Sequence, residues 1–192
     1  MELRYSPARM DASLGEPVRS YMSTLLDDLR GYADEFDTTS ESLMLLGNAG
    51  LGKTHAALAI AGEVLEKGFD VIYVSSPDFF SKLEALHFGS DPAGEEEMLL
   101  RTAAGADLLI LDEPSSALDP IAEYRIAKLI FDRSPTTTIM VAHRLSTVVD
   151  ADRIYLLSDG RIIEFGTHTE LMAQNGKYRE MFLKQAEGYL KA

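Results

Sequence analysis

The apolar positions of the chain change period several times along its length, and each change marks an element. After a loose lead-in (1–14), they fall between Glu16 and Phe36 at Val18, Tyr21, Met22, Leu25, Leu26, Leu29, Tyr32 and Phe36, spacings that predict an amphipathic helix. Leu43–Leu46 is an unbroken apolar run that stops at Gly47, and an alanine- and leucine-rich stretch from Thr54 to Lys67 stops at Gly68. That order reads as strand, tight loop, helix and C-terminal glycine. Phe69–Ser76 is β-branched and aromatic, hence a second strand, with a helix expected over Pro77–His87 and another over Glu95–Ala104.

Leu108–Leu111 is a buried strand ending in two carboxylates, Ile121–Phe131 a helix, and the run from Thr136 to Ala142 a further strand. Arg153–Leu157 and Arg161–Phe165 flank an Asp159-Gly160 pair, the signal of a hairpin. Two helices close the chain, Thr169–Gln174 and Tyr178–Leu190. Strands alternating with helices imply a parallel sheet with right-handed crossovers and helices on both faces. No repeat or Pro/Gly/Ser linker divides the chain, so 1–192 is expected to form one domain.

Charge narrows the classes of function. The 192 residues carry 18 Lys+Arg against 31 Asp+Glu, a net of −13, which opposes non-specific binding to phosphate backbones and makes a nucleic-acid partner unexpected. The absence of cysteine removes thiolate metal sites and cysteine nucleophiles. The apolar runs are far shorter than the roughly 20 residues of a membrane-crossing helix, and the opening MELRYSPARM lacks an apolar signal core. A cytoplasmic protein without a membrane partner is expected.

Any polyanion must therefore be held by a local site, and the chain has one. Gly47, Asn48, Ala49, Gly50, Leu51, Gly52, Lys53 and Thr54 fit G-x-x-x-x-G-K-[ST] between a strand and a helix. Glycines let backbone N–H groups curl around a phosphate, and the helix start adds its positive dipole end. In this pattern Lys53 reaches the β/γ-phosphates and the Thr54 hydroxyl coordinates Mg²⁺. Asp112 and Glu113 emerge at the C-terminal edge of the Leu108–Leu111 strand, where parallel α/β sheets place ligands. Asp112 is expected to hold Mg²⁺ through a water, and Glu113 to act as general base. His143 ends the next strand in the same way and can contact the γ-phosphate or position the attacking water. His55, His87 and His168 are read as structural.

The two halves resemble different families. Residues from about Tyr21 to Leu100, carried by GNAGLGKTHAALAIAGEVLEKGFDVIYVSSPDFFSKL, resemble helicase-loader AAA+ ATPases of the DnaC/IstB type. From about Ala106 to Leu190, LLILDEPSSALDP, TTTIMVAHRLSTVVDADRIYLLSDGRIIEFGTH and ELMAQNGKYREMF resemble the nucleotide-binding domain of ABC exporters. The loader resemblance makes Gly47–Thr54 the Walker A loop. The exporter resemblance makes Asp112 the Walker B aspartate, Glu113 the catalytic glutamate, Ser116–Asp119 the D-loop and His143 the switch histidine. Both imply a three-layer α/β/α P-loop NTPase with a mainly parallel five-stranded core in the order 5-1-4-3-2, plus a small C-terminal hairpin strand. The His143 strand is then expected between the phosphate-loop strand and the Asp112 strand.

The resemblances also omit parts. The interval from Lys53 to Asp112 suits a loader but is too short for the exporter helical subdomain, and it holds no LSGGQ-like signature or convincing Q-loop glutamine. The loader's arginine finger and helical lid are missing as well. The expectation is a recombined or engineered chimera with a junction near Arg101–Asp107, a monomer that binds ATP and Mg²⁺ and hydrolyses ATP slowly at most. The alternatives are a folded scaffold that binds nucleotide or phosphate without catalysis, and a loader-like interaction ATPase docking through the 16–36 helix.

Overall fold

In the computed structural model of the chain, the described residues are 27, 29–89, 94–112, 120–133, 136–142, 149–159 and 161–190. Glu113, the Ser116–Asp119 segment, His143 and the part of the first helix before residue 27 lie outside them.

A six-stranded sheet organises the chain. Its strands are β1 (Leu43–Gly47), β2 (Val71–Ser75), β3 (Leu108–Asp112), β4 (Thr137–Ala142), β5 (Arg153–Ser158) and β6 (Arg161–Gly166), in the order β2-β3-β4-β1-β5-β6. The first five are mutually parallel, and β6 runs antiparallel to β5. Read from the other edge, the parallel strands follow the expected 5-1-4-3-2, with β4 between β1 and β3. The expected hairpin strand is present as β6, a six-residue member of the sheet that extends its edge; Asp159 adopts φ 51 after β5, and Ser158 pairs with Arg161.

The apolar runs with no visible alternation are strands buried on both faces. Leu43, Leu45, Leu108, Ile110, Ile139 and Val141 pack on one side with Ala56, Ala57, Ile60 and Val64 of α2 (Lys53–Glu66). Met44, Leu46, Leu109, Leu111, Met140 and Ala142 pack on the other. That second face is covered by α3 (Ser76–Phe88), α4 (Glu95–Ala103), α5 (Pro120–Arg133), α6 (His168–Gln174) and α7 (Lys177–Leu190), which contribute Phe80, Leu83, Leu100, Ile130, Leu171 and Tyr178. A capping box at Thr167 and Glu170 starts α6, and the Glu164 carboxylate accepts from the backbone N–H of Lys177 and Tyr178 where α7 starts.

The first helix, α1, is described over residues 29–34, and its apolar stripe turns inward. Leu29 and Ala33 are buried beside α2, and Lys67 donates to the carbonyls of Ala33 and Asp34 at the end of α1. The described part of this helix therefore covers its own sheet. It stops short of Phe36, because the Asp37 carboxylate accepts from both the N–H and the hydroxyl of Thr39 and turns the chain, leaving Phe36 buried edge-on against Phe69.

Candidate functional site

The parallel strands deliver their C-terminal ends to one edge of the sheet, and the phosphate-loop pattern sits there. β1 ends at Gly47 with φ 146, and the loop returns through Gly52 at φ 82, the residue that caps α2. Both angles lie where a side chain is strained, which is why this loop needs glycine at those places. A Cβ on Gly47 would stand 2.4 Å from the backbone oxygen of Leu157 on β5, so the neighbouring strand also enforces the choice. Lys53, in the first turn of α2, is 5% exposed and donates from Nζ to the carbonyls of Gly47 at 2.8 Å and Asn48 at 2.7 Å.

The carboxylate arrives from β3. Asp112 is 6% exposed; Thr54 Oγ1 donates to its Oδ1 at 3.1 Å, and the Tyr73 hydroxyl donates to its Oδ2 at 2.7 Å. Among the described residues, Lys53 and Asp112 are the charged side chains that are buried, and both lie at this edge. Burying a charge is costly unless hydrogen bonds compensate it, and each of these two has a pair of such bonds. The Thr54 hydroxyl and the Asp112 carboxylate form a hard oxygen donor set that fits a small divalent cation such as Mg²⁺.

An open depression of about 420 Å³ runs along the loop, lined by Ala49, Gly50, Gly52, Lys53, Thr54 and His55. His55 is therefore exposed beside the loop rather than packed. His87 pairs with Glu96 at 2.9 Å and His168 with the Tyr178 hydroxyl at 2.7 Å, both structural contacts. Burial lowers the pKa of His168, whose ring packs against the Tyr178 and Phe182 rings. A second depression, of about 690 Å³, lies toward the start of β5 among Glu41, Arg153, Glu164 and Glu170; none of the expected site residues is in its wall.

Of the expected site, the structure thus brings together Gly47–Thr54 and Asp112. Glu113 and His143 follow directly on the described ends of β3 and β4, adjacent strands of the sheet. Sequence reasoning missed Tyr73. Its signal was indirect: an aromatic residue three before the end of a strand expected beside the Asp112 strand.

The model of the family described as IstB-like ATP binding protein matches residues 19–149, which include both the phosphate loop and Asp112. Exporter-type relatives match shorter stretches. The ATP-dependent lipid A-core flippase of Psychrobacter arcticus is 48% identical over 83 residues, 43% of this chain and 14% of the flippase. ABC transporter B family member 28 of Arabidopsis thaliana is 50% identical over 80 residues, 40% of this chain and 11% of that protein. The chain thus spans a small fraction of the length of these curated relatives. A solved bacterial Atm1-family ABC exporter with ATP bound shares the fold at a TM-score of 0.53 and 23% identity, over 76% of this chain and 37% of that one. Among the described residues no helix is long and apolar enough to cross a membrane. The family match covers well over half the residues together with the loop and its carboxylate: the chain belongs to the IstB-like ATP binding protein family.

Proposed function

We propose that the chain binds ATP with Mg²⁺ at Gly47–Thr54 and hydrolyses the nucleotide slowly. The observation that carries this reading is the 3.1 Å contact between Thr54 and Asp112, residues 58 apart in sequence. A junction that misaligned the halves by about 1 Å would separate these groups, since catalytic geometry tolerates little more. Hydrogen bonds at the proposed junction support this alignment: the N–H groups of Asp107 and Leu108 donate to the Asp70 carbonyl, and the Asp70 N–H donates to the Asp107 carboxylate at 2.9 Å.

In this reading the Thr54 hydroxyl and the Asp112 carboxylate would hold Mg²⁺, which when bound would supply positive charge against that developing on the phosphates. Lys53 exchanges its loop carbonyls for phosphate oxygens, the loop glycines keep side chains away from the phosphates, and Glu113 takes the proton of the attacking water while His143 orients it. The rate is low because neither an arginine finger nor an exporter signature is present, and a trans-acting arginine supplies about 10³- to 10⁵-fold in related enzymes. We read residues 1–192 as one domain joining loader-like and exporter-like segments near Arg101–Asp107. The family match runs past that junction to residue 149, as two segments sharing one strand order allow. A monomeric, cytoplasmic protein with a nucleotide as its ligand fits the acidic charge.

Parallel ATP titration and phosphate-release assays on the parent and Glu113→Gln test this reading. Glutamine keeps the shape and loses the base, so binding should be retained while turnover falls about 10²-fold. Tight binding with equal turnover in both proteins would leave a nucleotide-holding scaffold.

A further inference from the structure

β2 is an edge strand, and its register against β3 pairs Tyr73 with Ile110 and Ser75 with Asp112. Leu108 and Ile110 face α2, and Asp112 continues that face one step further, so Tyr73 stands diagonally behind the carboxylate. The Tyr73 side of the contact is 43% exposed, so burial alone does not hold the ring in place. Its hydroxyl nevertheless reaches Asp112 Oδ2 at 2.7 Å, while Thr54 takes Oδ1. Two hydroxyls from different elements thus fix both oxygens of one buried carboxylate. A carboxylate oxygen carries two lone pairs, so accepting from Tyr73 does not exhaust Oδ2; it sets the plane in which the remaining pair points.

We propose that Tyr73 is a positioning residue for the Mg²⁺ site: its O–H orients the Asp112 carboxylate toward the Thr54 hydroxyl and the phosphate loop. This rests on the ATP–Mg²⁺ reading above. Tyr73 acts through Asp112, as hydrogen-bonded partners of metal-binding carboxylates commonly do.

The test is ATP binding to the parent, Tyr73→Phe, Asp112→Asn and the double variant, measured in EDTA and across a MgCl₂ series, with ligand-free melting recorded for each. Tyr73→Phe keeps the ring and removes the donor. It should raise the MgCl₂ concentration for half-maximal enhancement of ATP binding about tenfold, the scale typical of lost partners of metal ligands. Its affinity in EDTA should stay at the parent's value, while its ligand-free melting falls modestly because a buried carboxylate loses one donor. In the Asp112→Asn background the same change should have no further effect, because coupled residues lose their effects together. An unchanged Mg²⁺ midpoint in Tyr73→Phe overturns the positioning role and leaves the ATP–Mg²⁺ reading standing. Weakening in EDTA to the same degree as in Mg²⁺ assigns Tyr73 to packing and also overturns it. A parent whose ATP binding ignores Mg²⁺ overturns both readings.

Discussion

Lys53→Ala should weaken ATP binding by about 10³-fold, which is ~4 kcal/mol, or roughly two charge-assisted hydrogen bonds of ~2 kcal/mol each to the phosphates. The ammonium is already in the right place to be exchanged: it is buried at the head of α2 and holds the carbonyls of Gly47 and Asn48, the loop that would wrap the phosphate. Its removal also takes a donor from the buried Gly47 carbonyl, at a cost of about 1–3 kcal/mol of stability. Titrations therefore belong at a temperature where melting curves show the variant folded. Lys53→Met, which restores the aliphatic stem without the charge, should recover part of the stability and none of the affinity. Unchanged affinity in a folded Lys53→Ala protein would take the phosphate away from this loop.

The geometry of the Gly47–Thr54 loop was legible because its constraints are local. Gly47 and Gly52 must adopt φ values that other residues resist, and Lys53 and Thr54 must open a helix, so the pattern is written in eight consecutive positions. The buried strands were legible for a similar reason: Leu43–Leu46 and Leu108–Leu111 are too short for helices and too apolar for a surface. Which residue faces which layer was not legible, since a strand buried on both sides shows no alternation; only α2 settles that Leu45 and Ile110 lie toward it. Within the described residues, the first helix ends two residues before the expected Phe36, because periodicity saw Phe36 as part of the stripe while the Asp37 side chain was already bonding to Thr39. Tyr73 was out of reach altogether. Its contact with Asp112 depends on the register of β2 against β3, and no local pattern fixes register between strands separated by two helices.

Gly47→Ala should destabilise the fold more than Gly50→Ala in the same loop, where an added methyl meets nothing within 4 Å. The residue pairs with Leu157 across the β1–β5 ladder, and its Cβ would lie 2.4 Å from the Leu157 backbone oxygen and 3.1 Å from Cδ1 of Leu51. Leu51 can rotate away; the Leu157 oxygen belongs to a parallel strand and can retreat only by opening the ladder. Backbone strain at φ 146 adds to the collision. Together, about 1–3 kcal/mol of strain and a similar cost of overpacking give roughly 4 kcal/mol. For a domain of this size that lowers Tm by about 10 °C. Gly62→Ala is the internal comparison. Gly62 lies inside α2, nothing stands within 4 Å of its added Cβ, and alanine there should stabilise by up to ~1 kcal/mol through helix propensity. Opposite shifts from the same added methyl, read by chemical denaturation, would tie the cost at Gly47 to its place between β1 and the loop. Equal, small shifts would mean that the loop can move away from β5, and with it that the position of Lys53 over the Gly47 carbonyl is not set by the sheet.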